Sequence, residues 1–454
     1  MVERRSLEPE DLMPLLDSGE VETIRSLLSE AHPSEIADLI SRIEDEDERF
    51  RLFNLLDEEK AVSAFEQLPG EIQEEILGKL NSIRQAKLLD EMSPDDRADL
   101  MTELPSDVFA KLLSLLKKEE RKDVVELIQF KPDTAGGLMT TEYAELKETM
   151  TAQQAIEHLR RMADKKETVR YAYVTDRNGV LVGYLHIEDL VFAPPTAKVG
   201  ELMRTEVISV DVDMDQEEVA RICKKYDLDV IPVVDGTGRL RGIITYDDVM
   251  DVLSEEADED IQKISALEAI DISYFQASIP LLVRKRVVWL AVLLLLEAIS
   301  GTVLKAYSQA LEAVVGLAYF IPMLIDTGGN AGAQSAAMII RELAIKGEIG
   351  LKDAFRIFYK ELSSGLFLGG ILSFLAILRA VWLVGNNAAL ALTVAFALVA
   401  VILIGTMSGA FLPIIARKLR FDPAIVSGPL VTTLVDVVGL AVYFEIAKLL
   451  LHIS

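Results

Sequence analysis

The spacing of apolar residues changes twice along the chain. Up to about residue 130, leucines and isoleucines recur three and four positions apart in short runs such as Glu71–Leu80 and Asp107–Leu116. That spacing predicts a series of short amphipathic helices. Their starts are marked by His32-Pro33-Ser34-Glu35, Leu68-Pro69-Gly70-Glu71, Ser93-Pro94-Asp95-Asp96 and Leu104-Pro105-Ser106-Asp107. Proline lacks an N–H that a first turn cannot use, and the acid after it complements the helix dipole. Repeated units of this kind stack into an α-helical superhelix, expected over residues 1–132. Past residue 280 the polar positions thin out. Five stretches, Leu281–Leu304, Leu311–Ile340, Leu362–Val384, Ala388–Ala416 and Ile425–Leu450, carry the roughly 20 apolar residues a membrane-crossing helix needs.

The flanking charges orient these spans. Arg284, Lys285 and Arg286 precede the first; Arg341, Lys346, Lys352, Arg356 and Lys360 lie between the second and third; Arg417, Lys418 and Arg420 lie between the fourth and fifth. The opposite connections carry only Lys305 and Arg379. Basic loops stay inside, so the expectation is a multi-pass cell-membrane protein with cytoplasmic N-terminal domains and its C-terminus outside. The second and fifth spans share a pattern: a proline (Pro322, Pro429), small residues, then a polar or acidic group. Interrupted segments in corresponding positions predict unwound backbone beside a transport path. Pro322, Gly328, Gly329, Asn330, Pro429 and Asp436 are its candidate residues. Asp436 sits mid-span, where a carboxylate is costly and marks a pathway; a protonated Asp bonded to a neighbouring helix is the alternative. Glu297, Asp326 and Glu361 are weaker cases that packing alone would explain.

Charge sharpens the division. The net charge is −27, yet beyond Pro280 14 basic residues exceed 10 acidic ones, leaving 32 basic against 63 acidic before it. Such a surface repels nucleic acid and attracts cations. Cys223 is the single cysteine, which excludes an intrachain disulfide and a cysteine metal site, and it reads as a small buried hydrophobe. The first residues lack an apolar signal region, so the acidic part is expected to remain in the cytosol. No G-x-x-x-x-G-K-[ST] loop supplies an energy source.

Between the two regions the sequence repeats itself. Asp176–Gly183 matches Asp235–Gly242 at a shift of 59, and Leu138-Met139 pairs with Leu202-Met203 at a shift of 64. Each unit reads helix, strand, glycine turn, strand, helix, and the pair resembles tandem CBS domains, 137–200 and 201–252. Gly242, Thr245 and Asp248 are similar to the segment that in many CBS pairs holds an adenosine nucleotide, so ATP is a candidate ligand; His186 stands at the threonine position of the first copy. An acidic linker helix, 247–278, would join the pair to a five-helix membrane domain, 281–454.

With the CBS pair, the acidic linker, GGNAGAQ from Gly328 and PLVTTLVD ending at Asp436, the whole chain resembles the MgtE family of magnesium channels. Ala333 and Gly428 depart from that pattern, relatives often having asparagine there. The resemblance implies a homodimer with its pore on the two-fold axis, lined by the second and fifth helices, Asp436 serving once from each protomer. It also implies that Mg2+ bridges Asp95 and Asp99 toward Asp248, Glu217 and Asp227 toward Asp251, and Glu259 toward Asp422. Asp215, Glu256 and Asp260 complete the expected metal-binding set. Mg2+ keeps several waters and prefers oxygen ligands. A Mn2+ or Co2+ pathway and a CBS-regulated anion channel are the alternatives. An enzyme is not expected, because the spans offer no cluster of catalytic acids and bases.

Overall fold

The structure, a computed structural model of the chain, describes residues 8–163, 167–265, 267–268, 274, 277–346, 349–385, 387–426 and 428–453. It divides into two compact units, residues 1–254 and 255–454.

Helices of eight to ten residues open the first unit: α1 (Pro9–Ser18), α2 (Val21–Glu30), α3 (Pro33–Arg42), α4 (Glu46–Phe53) and α5 (Glu58–Glu66). The series continues with α6 (Gly70–Lys79), α7 (Ser82–Glu91), α8 (Pro94–Glu103), α9 (Ser106–Leu115) and α10 (Lys118–Leu127). Pro33 and Pro94 are the first residues of α3 and α8, whereas Pro69 and Pro105 lie one position earlier, as caps. No helix here buries enough surface alone. Ile24, Ile36, Phe53, Phe65, Ile76 and Leu89 join one core that runs through the array. Arg97 of α8 is fully buried; it donates to the carbonyls of Leu89 and Met92 at 2.9 and 3.2 Å and to Glu120 of α10 at 3.1 Å.

The duplication becomes two small α/β modules. In chain order the first copy runs α11 (Ala135–Leu138), β1 (Ala144–Lys147), α12 (Ala152–Met162), β2 (Tyr171–Thr175), β3 (Leu181–His186) and α13 (Ile187–Val191), although α11 packs in the core of the second copy, with Val210, Val219 and Ile231. The second comprises α14 (Val199–Leu202), β4 (Val210–Asp211), α15 (Gln216–Tyr226), β5 (Val230–Val234), β6 (Leu240–Thr245) and α16 (Tyr246–Ile264). In each a first strand pairs parallel to the second, which pairs antiparallel to the third. Tyr171 opposes His186 as Val230 opposes Thr245, and each sheet has a register break at the equivalent place, Val174/Thr175 and Val233/Val234. The short β1 and β4 precede the helix and are additional to the expected order; at four and two residues they are too brief to show an alternation in sequence. Gly242 allows the Thr140 segment to lie on β6: a Cβ there would be 2.6 Å from the Thr140 carbonyl oxygen. Cys223 is buried on α15, as its helical position implied.

The second unit is helical: α17 (Ile279–Ala306), α18 (Ser308–Ala313), a 3-10 turn at Val315–Phe320, α19 (Ile321–Lys346), α20 (Leu351–Val384), α21 (Ala388–Lys418), a short turn at Pro423–Ile425, and α22 (Gly428–Leu451). Among the described residues α17, α20 and α21 are long and apolar enough to cross a membrane. The expected second span is divided: α19 begins at Ile321, after the 3-10 turn. The third begins eleven residues before its apolar run, because an amphipathic segment from Leu351 extends the same helix. The acidic linker helix ends at Ile264, and most of 266–276 falls outside the described residues.

The expectation of unwound backbone at Pro322 and Pro429 is corrected. Both are second residues of continuous helices, α19 and α22, where a missing N–H breaks no bond. The glycines serve packing instead. Gly328 and Gly332 of α19 face Gly405 and Gly409 of α21 so closely that a Cβ on Gly409 would be 2.0 Å from the Gly332 carbonyl oxygen. Glycines four apart on both helices make a seam at which two backbones meet.

Candidate functional site

The expected carboxylates divide between the units, with Glu256, Glu259, Asp260, Asp422 and Asp436 in the second and the rest in the first. In the first, a cleft of about 1750 Å³ is lined by Glu66, Asp95, Asp96 and Glu167 together with Asp247, Asp248 and Asp251 from the start of α16; Arg161, Arg241 and several lysines share its wall. Helix α8 supplies Asp95 and Asp96 in its first turn, after the Ser93-Pro94 start. Asp248 is held by Thr245, whose N–H and hydroxyl donate to Oδ2 at 3.1 and 2.6 Å. The equivalent bond in the first module runs from His186 N–H to Asp189 at 3.0 Å, so the duplicated aspartate keeps its structural task in both copies.

These acids resist ionisation. Burial, then the charges of Asp248 and Asp96, hold Asp95 well above the usual carboxylate range. Its Oδ1 is buried with no hydrogen-bond partner. Burial raises Asp248 to about 6 against the two Thr245 bonds. It raises Glu66 to about 7, and Glu167 to about 7 with help from Asp248 and Asp247. Asp96 is raised by burial and by Asp251 and Asp247, and Asp251 by burial and Asp247. A cation in the cleft would relieve both causes at once. A buried acceptor without a donor, beside other carboxylates, fits a hydrated divalent ion better than it fits any side chain present.

Asp95 and Asp248 therefore share one cleft, with Asp251 beside Asp96 and Asp247 rather than among Glu217 and Asp227. Asp99, one turn beyond Asp95, is exposed and does not line the cleft. Asp215 caps α15 through Glu217 N–H at 3.1 Å, and Asp227 ends that helix with φ 55°; neither these two nor Glu217 line the cleft. Glu66 and Glu167 escaped the sequence reading. Glu66 lies near the end of an ordinary amphipathic helix and Glu167 in an irregular loop, so neither stood in an acidic run. Among the described residues no three His, Cys, Asp or Glu side chains converge tightly enough to form a metal centre by themselves.

In the second unit Asp436 of α22 lies within electrostatic reach of Glu297 of α17 and of Asp326 of α19. Glu297 and Asp326, discounted in sequence, thus belong with Asp436. Asn330 lies one turn from Asp326 on the same exposed strip of α19, whereas Gly328 and Gly329 are buried, Gly328 against Val401 and Val435 and Gly329 against Thr432. Glu361 accepts a hydrogen bond from Ser335 at 2.7 Å. At the far end of α16, Glu259 and Asp422 do approach a common point. Lys263 occupies it, 2.6 Å from Glu259 and 2.7 Å from Asp422, and the Asp422 charge helps burial raise Asp260. Glu256 contributes to the same field.

Family models match over most of the chain: an MgtE intracellular N domain at 31–133, CBS domains at 135–195 and 199–255, and a divalent cation transporter, MgtE, at 321–446. The chain is 44% identical to the magnesium transporter MgtE of Thermus thermophilus over 74% of each chain. It is 41% identical to that of Bacillus subtilis over 75% of this chain and 74% of the relative. Among solved structures, the cytosolic domain of the Mg2+ channel MgtE in complex with ATP matches 54% of this chain and 99% of its own, at 40% identity and TM-score 0.51.

Proposed function

The chain belongs to the MgtE family of magnesium transporters, and from that premise we propose that it is a Mg2+ channel closed from the cytosolic side by the ion it conducts. The observation that carries the reading is Asp436 on the apolar helix α22, within electrostatic reach of Glu297 and Asp326 on two other long helices. A doubly charged ion that keeps much of its water can be held there through outer-shell hydrogen bonds and still leave. Direct chelation by several carboxylates would trap it. A potential of about 100 mV supplies roughly 4.6 kcal/mol to a divalent ion, twice the per-charge value, so inward flux needs no other energy source. A homodimer with one Asp436 from each protomer at the axis would double the charge along the path.

The acidic cleft supports the gating half of the reading. High cytosolic Mg2+ would neutralise Asp95, Asp96, Asp248 and Asp251 and let their elements pack; low Mg2+ would leave repulsion to separate them. Near-complete switching requires a differential of about 5.5 kcal/mol between the two states, which several weak ion sites acting together supply. Glu217, Asp227, Glu256, Glu259, Asp260 and Asp422 are proposed as further members of this set.

ATP is proposed as a second regulator, on the strength of the ATP-bound relative. The better seat is the first module. There Tyr171 and Tyr184 flank His186 at 4.8 and 5.8 Å between ring centres, and Arg170 and Arg204 lie over the two tyrosines. Gly242, Thr245 and Asp248 are the less suitable place, since Asp248 faces a cleft that repels phosphate. Tyr171→Ala should weaken ATP binding and Asp248→Ala should not; the reverse pattern would place the nucleotide on the second copy.

The test of the main reading is Mg2+ flux in liposomes. Asp436→Ala should abolish uptake while the protein still inserts. Wild-type uptake should fall as Mg2+ is raised on the cytosolic face, and a channel with Asp248 and Asp251 neutralised should stay open. Unchanged flux through Asp436→Ala would refute the pathway.

A further inference from the structure

At the end of α16 two carboxylates, Glu259 and Asp422, approach a common point that a side-chain ammonium occupies. Asp422 is oriented by its own backbone: Oδ1 accepts from Ala424 N–H at 2.8 Å, capping the turn that leads into α22. That leaves Oδ2 directed at Lys263, whose ammonium lies 2.7 Å from it and 2.6 Å from Glu259, one turn back on α16. Lys263 is only a quarter exposed, and Asp260 lies within reach of Asp422 as well. A divalent ion joining Glu259 to Asp422 would need Oδ2, the oxygen the lysine holds, because the other is committed to the cap.

We propose that Lys263 is a tethered competitor for the divalent cation at Glu259 and Asp422, which sets the Mg2+ concentration at which the end of α16 is fastened to the turn before α22. The inference rests on the gating reading above and adds to it the residue that tunes the threshold. An ammonium on a flexible stem exchanges readily with a free ion, and its single charge leaves the carboxylates partly uncompensated. With Lys263 in place the fastening yields to Mg2+ only when the ion is concentrated enough to displace it. A lysine that were merely a staple would behave oppositely, its loss weakening the junction.

The experiment titrates Mg2+ against full-length protein in detergent and follows protease cleavage within residues 255–265. Lys263→Met, or Lys263→Gln should the methionine variant assemble poorly, should shift the midpoint of protection to about threefold to tenfold lower Mg2+, the effect expected from removing one charge a few ångströms from a partly solvated ion. Lys263→Arg keeps the charge and should not lower it. In the Asp422→Asn background the effect of Lys263→Met should disappear. A midpoint that is unmoved or raised in both Lys263→Met and Lys263→Gln overturns the inference. Parallel flux measurements separate the two levels. A shifted protection midpoint without any Mg2+-sensitive flux would leave the lysine's role standing and remove the channel reading.

Discussion

Glu66 offers the sharpest test of the acidic cleft, because its position was invisible in sequence and its effect has a definite pH signature. Burial raises its carboxyl from 4.5 to about 7 while Ser93 N–H donates to Oε1 at 2.8 Å. Between those two values the unfolded chain gives up its proton and the folded chain keeps it. Stability must therefore fall as pH rises from about 4.5 to about 7, and stay at the lower level above that. The rise from 4.5 to about 7 corresponds to about 3 kcal/mol. Glu66→Gln preserves the acceptor for Ser93 but carries no charge. In Mg2+-free buffer it should leave the stability of α5 and α8 unchanged near pH 4 and increase it by about 1–3 kcal/mol at pH 8, measured by hydrogen exchange on the full chain. Saturating Mg2+ should shrink the pH 8 difference, since the ion relieves the same repulsion. A gain equal at both pH values, or a loss at pH 8, would refute the electrostatic account.

Further outcomes follow from the packing. Gly409→Val should prevent α19 and α21 from approaching and cost at least 1–3 kcal/mol, read as loss of folded protein after extraction, because the added carbons would overlap the Gly332 carbonyl. Arg97→Ala should destabilise the helical array by about 3–5 kcal/mol in thermal unfolding, leaving the Leu89 and Met92 carbonyls and Glu120 without their buried donor. Burial pushes the Cys223 thiol up to about 11, so alkylation at pH 8 should be slow in the native chain and fast after denaturation.

What the sequence disclosed depended on the range of the interaction. Periodic patterns are local, so the helical array and the duplicated α/β modules were legible before the structure, and so were three of the five expected spans, α17, α20 and α21, which among the described residues are long and apolar enough to cross a membrane. The repeat at a shift of 59 carried through to the register break in each sheet. Capping was equally local, and Pro94 starts α8 where its neighbours implied. The errors arose where one local signal had two physical causes. Proline with glycines inside an apolar run means unwound backbone or a first turn followed by close helix packing. Only the approach of Gly405 and Gly409, some 80 residues away in sequence, decides for packing. Long-range carboxylate contacts had no local signature at all. Glu297 stands among leucines and Asp326 before a glycine pair, and nothing in either run announces Asp436 as a neighbour.

The same reasoning explains why acidic runs did not disclose which carboxylates meet. A dense acidic run marks where repulsion is concentrated, but the energy depends on which charges lose water together. On α16 the early residues Asp247, Asp248 and Asp251 line one cleft with Asp95, Asp96 and Glu167, and several of these carboxyls rise far above their ordinary values. Glu259, a few turns later in the same run, meets a lysine instead. One helix thus carries two electrostatic regimes: an acid-rich set whose carboxyls are raised by burial and by one another although Arg161, Arg241 and lysines share the wall, and a set at which an ammonium already sits between two carboxylates. An ion that fills the first lowers the energy of packing outright, whereas at the second it gains only the difference between its own affinity and the lysine's. On the proposed gating the cleft would therefore be the stronger sensor per ion, and the junction at Asp422 the part whose threshold a single substitution would move.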